Sequence, residues 1–450
     1  MHRFDATTER IAELCFDYAA ERLRLDPVPL DGPTTPAALQ AATGETITPA
    51  GLGAFAARAV FRDVLAPACL SNDSERYLAF IPAAPTKAAQ LFDVVVSSSG
   101  ICGSSWLEGA GAVHAENQAL RWLADLAGFG PRAGGVFVSG GSAGNLSALV
   151  VAREIGAARL GRPGARLRVA VGEQAHSSVA STLRIIGCDA LVVPSDATDR
   201  LTGDALASTL RDDPEPETVV AVVATAGTTN AGIIDDLEGI GEVARTRDLW
   251  FHVDGAYGLA ALASPGHRAF FAGIERADSF TVDPHKWLFA PFDCAALVYA
   301  EPDLARGVHA QHASYLDAIH DTDDWNPADL AYHLTRRARG LPFWFSLAVH
   351  GTDAYAAAIE RSTERAEALA SRVEAAPHTE LVRTPSLGIV LWRRPGWEPE
   401  DYRAWSRRLL EEQRAFVLPS RWHGEVVARA VCIHPELSDR VLDDLVDSMT

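Results

Sequence analysis

Between residues 134 and 283 the chain alternates short apolar runs with helical stretches, and this alternation limits the folds available to it. The apolar runs are "GGVFVSG", "RLRVAVG", "ALVVPS", "TVVAVVATAG", "LWFHVDG" and "SFTVD". Apolar strands separated by helices predict a mostly parallel sheet that is covered on both faces. Ligands of such sheets bind at the carboxyl ends of the strands, so the residues after each run are the first candidates for a functional site.

The two ends of the chain have different patterns. A charged, amphipathic N-terminal helix is followed by a Pro/Gly/Thr-rich connection over residues 25–51, and we place a separate N-terminal segment at residues 1–84. The large domain then spans residues 85–350. A long amphipathic helix, the strand-like "SLGIVLWRR", a second helix and "VVARAVCIHP" follow, which predict a small α+β C-terminal domain at residues 351–450.

Composition excludes several classes of partner. A net charge of −19 opposes binding to nucleic acid or to an anionic membrane surface as the main role. No segment has the pattern of a signal peptide or a membrane span. Six cysteines without CxxC pairs indicate reduced thiols and no zinc site, so we expect a cytoplasmic protein without a structural metal.

Polar residues follow several of the predicted strands. Gly140 and Gly141 end one strand and open a helix, where backbone N–H groups, the Ser142 hydroxyl and the helix dipole favour a phosphate. His176 stands at another strand-to-helix junction, and Asp254 follows a buried run. Each residue alone is equally typical of a cap or a turn. The glycine turn matches neither a P-loop nor a dinucleotide-binding fingerprint.

The segment "ADSFTVDPHKWLFAP" contains Lys286, one of only two lysines in a chain with 40 Lys and Arg residues. Because arginine serves nearly every other cationic position, a lysine kept here indicates amine chemistry. A phosphate turn, an imidazole, threonine hydroxyls, a carboxylate and an amine together suit pyridoxal 5'-phosphate. Its aldehyde requires a lysine amine, and its ring nitrogen requires a carboxylate that keeps the ring cationic.

Three segments, "AHSSV", "HVDGAYG" and "DPHKWLFAPFDC", resemble the signatures of the group II pyridoxal-phosphate-dependent decarboxylases, the family of aromatic L-amino-acid, histidine and glutamate decarboxylases. The likeness extends from the first helix to "VVARAVCIHP". It implies a fold-type I, aspartate-aminotransferase-like architecture. It also implies a small-molecule amino-acid substrate and a homodimer whose active sites lie at the subunit interface.

The resemblance assigns a role to each matching position. Lys286 is the expected Schiff-base lysine, Asp254 the partner of the ring nitrogen, and His176 the group that stacks on one face of the ring. The remaining expected cofactor contacts, to the opposite face, the phosphate and the ring hydroxyl or substrate carboxylate, are Ala256, Gly141, Ser142, His285 and Thr228.

The resemblance also assigns several residues to the substrate. Arg429 resembles the arginine placed near the substrate α-carboxylate, although a surface arginine on an edge strand is the alternative. Phe80, Ile81 and Trp106 are expected to form apolar walls of the substrate pocket. Ser104 stands where an aromatic decarboxylase has phenylalanine, which favours a bulkier or more polar substrate than dopa.

The chain departs from the family at two positions, and the second of them weakens the assignment of the reaction. Asp283 replaces the asparagine that many members of the family have before Pro-His-Lys, and it adds a negative charge near the phosphate. Counting back from "LTRRARGLPFWF" without a gap puts Pro327 where the family has a catalytic tyrosine. Trp325, His320 and Tyr332 lie nearby, and with His176 they supply the candidate proton donors.

In the family that tyrosine protonates the carbanion, and its replacement is associated with aldehyde-forming oxidation. The sequence therefore predicts decarboxylation of an L-α-amino acid to its amine, by a lyase. Decarboxylation coupled to oxidative deamination, or another reaction at the α-carbon, remains open. A nucleotide-dependent oxidoreductase and a non-catalytic partner protein are the alternatives from other classes.

Overall fold

A seven-stranded sheet forms the centre of the protein. The structure is a computed structural model that describes residues 2–161, 166–320 (without the side chain of His320) and 324–450. The strands are β1 (Gly134–Val138), β2 (Arg168–Gly172), β3 (Asp189–Val193), β4 (Val219–Thr225), β5 (Trp250–Asp254), β6 (Ser279–Val282) and β7 (Ala295–Tyr299). They lie in the order β1-β7-β6-β5-β4-β2-β3. Only β7 runs antiparallel to its neighbours, so the prediction of a mostly parallel α/β sheet is confirmed.

Helices cover both faces of this sheet. The helices up to residue 350 are α1 (Ala6–Leu23), α2 (Pro36–Thr43), α3 (Ala54–Val60), α4 (Lys87–Ser98), α5 (Trp106–Leu126), α6 (Gly141–Leu160), α7 (Ser177–Ile186), α8 (Gly203–Asp212), α9 (Leu237–Arg247), α10 (Pro302–His309), α11 (Asp317–His320) and α12 (Leu341–His350), and not all of them contact the sheet. Every residue of β4 and β5 is buried. Val222 packs into the core on one face, whereas the next residue, Val223, packs into the core on the other. Helices on both faces therefore account for the uninterrupted apolar runs.

The parallel register brings three polar residues together at one edge of the sheet. Thr225 at the end of β4 lies beside Asp254 at the end of β5, and Asp254 lies beside Thr281 of β6. Each of these residues is buried. The turns that follow these strands consequently meet at the same edge, which is where the sequence predicted a ligand site.

The C-terminal part forms a second layer with a core of its own. Strands β8 (Glu380–Leu381), β9 (Ile389–Arg393), β10 (Ser420–Trp422) and β11 (Glu425–Val431) form an antiparallel sheet in the order β10-β11-β9-β8. Helices α13 (Thr352–Ala375), α14 (Pro399–Glu411) and α15 (Asp439–Asp447) pack on it. Trp392 and Trp405 meet edge to face in this core, with ring centroids 6.1 Å apart. Leu78 of the N-terminal segment is buried in the same core.

The N-terminal helices expose large apolar side chains. Phe16 on α1 is 61% exposed and Phe55 on α3 is 69% exposed. Large exposed apolar groups on neighbouring helices are typical of a surface that another chain covers. Of the helices in the described part of the chain, none combines the length and the hydrophobicity needed to cross a bilayer.

Two elements differ from the expectation. The connection over residues 25–51 contains α2, because Thr35 caps this helix by accepting the N–H of Ala38 and Pro36 occupies its first turn. Strand β7, which completes the sheet between β1 and β6, follows the lysine segment and was not predicted.

Candidate active site

A pocket of about 360 Å³ opens at the carboxyl edge of the central sheet. Its lining comes from the turns after β1, β2, β4, β5 and β6: Ser139, Gly140, Gly141, Ser142, Asn145, His176, Ser178, Thr225, Gly227, Thr229, Asp254, Ala256, Tyr257, Asp283, His285, Lys286 and Phe292. The fold therefore brings together residues up to 153 positions apart, since Ser139 and Phe292 both line it. Lys286, Asp254 and His176, the predicted catalytic residues, share this pocket.

A larger cavity of about 990 Å³ lies between residues 23–28 and the C-terminal layer. It is lined by Lys87, the second lysine, whose side chain is 48% exposed and whose Nζ is 3.9 Å from an Asp73 carboxylate oxygen. No strand of the central sheet ends there. The smaller pocket is the better candidate because titratable groups converge in it at the strand ends.

Lys286 is held by a buried carboxylate. Its Nζ lies 2.8 Å from Oδ2 of Asp283, and the side chain is 24% exposed. The same oxygen accepts the backbone N–H of Gly141 at 3.2 Å. Oδ1 of Asp283 is buried and has no hydrogen-bond partner among the described residues. Asp283 thus places a negative charge between the lysine amine and the glycine turn.

A hydrogen bond from the backbone orients the imidazole ring of His285. Its Nδ1 accepts the backbone N–H of Cys294 at 3.0 Å, so the proton of the neutral ring lies on Nε2. Nε2 is 3.6 Å from Oδ2 of Asp283. Burial lowers the pKa of His285, against the opposing effect of the Asp283 charge. The ring of Phe292 lies beside the imidazole, with centroids 4.9 Å apart.

Asp254 is the most enclosed acidic group on this side of the pocket. Its Oδ2 accepts the side-chain amide of Asn145 at 2.8 Å, and its Oδ1 accepts the backbone N–H of Ala256 at 3.1 Å. Behind Asn145, the fully enclosed imidazole of His252 lies 3.0 Å from the amide oxygen. Burial lowers the pKa of His252 to about 4, although the charge of Asp254 opposes the shift.

The glycine turn at the start of α6 packs closely against the neighbouring segments. Helix α6 begins at Gly141 without a side-chain cap, so the start of the helix presents backbone N–H groups to the pocket. A Cβ at Gly141 would lie 2.9 Å from Cβ of Ala256, and a Cβ at Gly144 would lie 2.6 Å from Oγ1 of Thr281. The small residues let the helix start close to the strand ends.

His176 caps helix α7. Its Nδ1 accepts the backbone N–H of Ser178 at 3.2 Å and lies 2.9 Å from the Ser178 hydroxyl. The rest of the ring is exposed and lines the pocket. The structure therefore supports both interpretations of His176, since one nitrogen caps the helix while the ring faces the site.

The threonine loop after β4 is arranged differently from the expectation. Thr228 is buried behind the wall of the pocket, where its hydroxyl accepts the backbone N–H of Ile233 at 3.1 Å. Thr225 and Thr229 line the pocket. The buried Asp235 holds this loop by accepting the N–H of Thr225 at 2.7 Å, and burial raises its pKa to about 7.

Arg429 is neither exposed nor on an edge strand, so the surface alternative is wrong. It lies on β11, between β9 and β10, and is 6% exposed. Its guanidinium donates to the carbonyls of Asn230 at 3.2 Å, Phe80 at 2.9 Å and Thr229 at 2.6 Å. Burial lowers its pKa to about 10. Arg429 joins three segments of the chain next to the pocket and is not part of the pocket lining.

The other predicted substrate residues lie outside the pocket of their own chain. Phe80 has a left-handed backbone conformation (φ 52°) and a side chain that is 57% exposed. Ile81 and Trp106 are partly buried. Ser104 is buried, and its hydroxyl accepts the N–H of Arg336 at 3.1 Å. The pocket of one chain is therefore open on the side where substrate contacts were expected.

The segment around the expected tyrosine does not reach the pocket of the same chain. Pro327 is buried, and the neighbouring Asn326 accepts the N–H of Trp106 at 3.0 Å, which fixes this segment to the start of α5. Trp325 packs against one of the two cores of the central sheet, and Tyr332 is 51% exposed. The side chain of His320 and most of the acidic stretch "HDTDD" lie outside the described residues.

The pocket fits pyridoxal phosphate. A primary amine, a carboxylate held by N–H donors, an imidazole and an uncapped helix start each face the same space. The uncapped start of α6 is the end where a phosphate would bind, and Lys286 there offsets the negative charge of Asp283. Sequence reasoning missed Asn145, Ser178, His252 and Phe292, and the polar residues in "GNLS" and "FHVD" were the available signal.

Comparison with known proteins agrees with this assignment. The family model described as "Pyridoxal-dependent decarboxylase conserved domain" matches residues 59–394. An aromatic-L-amino-acid decarboxylase of Bacillus atrophaeus is 33% identical over 71% of this chain and 68% of its own length. That of Sus scrofa is 30% identical over 82% of this chain and 80% of its own. The crystal structure of Oryza sativa TDC with PLP and tryptamine superposes with a TM-score of 0.93 at 23% identity, covering 100% and 98% of the two chains.

The buried His252 predicts a pH-dependent stability. Its folded pKa lies below the value near 6.5 of the unfolded chain, so the unfolded state binds one more proton between about pH 6.5 and pH 4. The stability due to the neutral ring is present above pH 6.5 and is lost as the pH falls towards 4. His252→Gln should reduce the slope of unfolding free energy against pH in this window by about 1.4 kcal/mol per pH unit. Urea unfolding at several pH values measures it, and equal slopes in both proteins would contradict the assignment.

Proposed function

The chain belongs to the pyridoxal-dependent decarboxylase family, and from that premise we propose that it converts an L-α-amino acid with an aromatic side chain to the corresponding amine. Pyridoxal-phosphate-dependent decarboxylation of an amino acid, a lyase reaction, is the activity of this family. The observation that carries the proposal is the convergence of Lys286, Asp254 and His176 in one pocket at the strand ends.

The reaction breaks one carbon–carbon bond. The bond between the α-carbon and the carboxylate breaks, CO2 leaves, and the α-carbon receives one proton. Pyridoxal phosphate, when bound, supplies an electron sink for the electron pair that CO2 leaves behind. The chain must therefore bind the cofactor, hold its ring nitrogen protonated and deliver a proton to the substrate carbon.

We assign these tasks to residues of the pocket. The Lys286 amine attaches the cofactor, and Asp254 keeps a proton on the ring nitrogen because a carboxylate in a site of low dielectric strongly favours a nearby cation. The start of α6 at Gly141 and Ser142, together with His285, holds the phosphate. His176 covers one face of the ring and Ala256 the other.

The proposed aromatic preference has two supports. Phe292 lines the pocket and is 54% exposed, so an apolar ring stands at its mouth. The relatives from Bacillus atrophaeus and Sus scrofa act on aromatic amino acids, according to their names, whereas a relative from Rhizobium meliloti that is 36% identical over 69% of this chain is named L-2,4-diaminobutyrate decarboxylase. Ser104 is buried outside the pocket of its own chain, where its hydroxyl accepts the Arg336 N–H.

We propose that two copies complete the site. Phe80 projects from the surface, and the N-terminal helices expose Phe16 and Phe55. A second copy would cover these apolar groups and supply the substrate contacts that one pocket lacks. The free thiols, including the exposed Cys15 and Cys69, suit a reducing cytoplasm, where we place the protein.

The cofactor attachment site is the first prediction from this proposal. Borohydride reduction of the holoenzyme followed by peptide mapping should find the pyridoxyl group on Lys286, because this is the lysine in the pocket with the carboxylate and the imidazoles. Lys87→Arg serves as the control and should retain the label. A label on Lys87, or loss of label in Lys87→Arg, would contradict the assignment.

The product is the second prediction. Incubation with pooled aromatic and basic L-amino acids should release CO2 and an aromatic amine in equal amounts, with peroxide below about a tenth of the CO2, because prompt protonation prevents reaction with oxygen. His176→Asn should lower amine formation at least about tenfold and raise the peroxide fraction. Tyr332→Phe belongs to the same series, because this side chain lies outside the pocket of its own chain and could act only on the site of a neighbouring copy.

Stoichiometric aldehyde, ammonia and peroxide from the wild type, with oxygen consumed, would instead establish the oxidative reaction. Tyr315, which is 75% exposed, and His320 belong to the same variant series because a neighbouring copy would be able to present that segment. If Tyr315→Phe alone switches the product from amine to aldehyde, the proton donor comes from this segment and not from His176.

Sharing of sites between copies is the third prediction. Mixing a Lys286→Ala chain with a chain in which residues 310–323 are replaced by four glycines should restore about a quarter of wild-type activity. Half of the dimers are mixed, and each of these has one complete site. Lys286→Ala mixed with itself is the control. Absence of restored activity in mixtures whose mixed dimers are confirmed by native mass spectrometry would show that the segment serves its own subunit.

A further inference from the structure

A continuous chain of buried polar side chains runs behind the pocket to Asp254. Trp250 Nε1 lies 2.9 Å from the Ser279 hydroxyl, which lies 2.8 Å from Nδ1 of His252. Nε2 of His252 lies 3.0 Å from Oδ1 of Asn145, whose Nδ2 lies 2.8 Å from Asp254. All five residues are buried. Buried polar groups must satisfy one another, so the direction of each hydrogen bond can be worked out.

The carboxylate fixes the direction at one end. An ionised Asp254 only accepts hydrogen bonds, so Asn145 must turn its NH2 group towards it. The amide oxygen then faces His252 and also only accepts. Nε2 of His252 must therefore carry the proton. Burial keeps this imidazole neutral by lowering its pKa to about 4, so its Nδ1 is an unprotonated acceptor.

The other end is compatible with this direction. The indole nitrogen of Trp250 only donates, so the oxygen of Ser279 accepts from it. Because Nδ1 of the neutral His252 has no proton, the Ser279 hydroxyl donates to it. The chain thus begins at Trp250, which only donates, and ends at Asp254, which only accepts. Each hydrogen bond between them contains one proton. With Asp254 accepting from Asn145 and His252 neutral, this is the orientation of Asn145 and His252 that satisfies the whole chain.

Asn145 also begins a branch. Its second N–H donates to the Ser178 hydroxyl oxygen at 3.1 Å. The Ser178 hydroxyl proton then points to Nδ1 of His176, 2.9 Å away, and the Ser178 backbone N–H donates to the same nitrogen at 3.2 Å. Because Nδ1 of His176 accepts two hydrogen bonds, the ring proton lies on Nε2. No described residue forms a hydrogen bond with that Nε2.

We propose that Asn145 and Ser178 are positioning residues. The side-chain amide of Asn145 orients Asp254 on one side of the cofactor site and, through Ser178, orients His176 on the other. One N–H of Asn145 orients the carboxylate of Asp254, and the other, through Ser178, sets the tautomer of His176. His176 consequently presents an N–H donor to the pocket and suits an anionic oxygen, such as a substrate carboxylate. That last assignment rests on the proposed function, whereas the tautomer itself does not.

The tautomer can be read without any turnover. Protein labelled with 15N-histidine and loaded with pyridoxal phosphate should give a His176 signal with an unprotonated Nδ1 and a protonated Nε2, assigned by its loss in His176→Gln. Ser178→Ala removes one of the two donors to Nδ1 and leaves the backbone N–H of residue 178, so it should shift the Nδ1 resonance and populate the other tautomer in part. Ser178→Thr, which keeps a hydroxyl, should restore the wild-type signal. Ser177→Ala, one residue away and exposed, is the matched control.

Steady-state kinetics supply the second readout. Ser178→Ala should raise the KM for the amino acid about tenfold while Ser177→Ala leaves it unchanged, since only the former disturbs the donor that faces substrate. A wild-type His176 protonated at Nδ1, or a Ser178→Ala signal identical to wild type, would overturn the proposal. A correct tautomer in a protein that releases no CO2 would instead leave the hydrogen-bond chain intact and refute the proposed function.

Discussion

The structure depends most on a buried carboxylate at the end of the central strand. Asp254 is 5% exposed and ends a strand whose residues are all buried, so its charge must be compensated by protein groups or by a ligand. The amide of Asn145 and the N–H of Ala256 supply two donors from within the chain. A protonated ring nitrogen of the cofactor would supply the opposite charge that these neutral donors lack. Burial raises the free-energy cost of the charged carboxylate in the free protein. For the same reason, burial would strengthen the interaction of this carboxylate with a cationic cofactor ring.

The opposite end of the pocket has a different balance of charge. Lys286 and Asp283 form an ion pair there, and the second oxygen of Asp283 has no described partner. Asp283 also accepts the Gly141 N–H, at the helix start that would hold a phosphate. Binding of the cofactor would therefore exchange contacts of Asp283 for contacts of the phosphate. The pocket consequently separates two anionic groups, Asp254 and Asp283, with the lysine amine next to the second.

Much of this arrangement followed from the sequence. The apolar runs predicted the strands. Because parallel strands align their carboxyl ends, the positions of Lys286, Asp254 and His176 after these runs predicted that they share one edge of the sheet. The partners of these residues depended on contacts between distant segments. Asn145 and Asp254 are 109 positions apart, and no local pattern signals that they meet. Arg429 likewise contacts the carbonyls of Phe80 and Thr229, which only the folded chain brings together. The sequence assigned Thr228 to the site, whereas in the structure the next residue, Thr229, lines the pocket.

The protonation state of the ring nitrogen tests the central role of Asp254 most directly. Protein reconstituted with pyridoxal phosphate labelled with 15N in the ring should show the chemical shift of a protonated pyridine nitrogen in the wild type. The same cofactor in Asp254→Asn should show an unprotonated nitrogen, because the neutral amide no longer stabilises the cation. An unprotonated nitrogen in the wild type, or a protonated one in both proteins, would contradict the account.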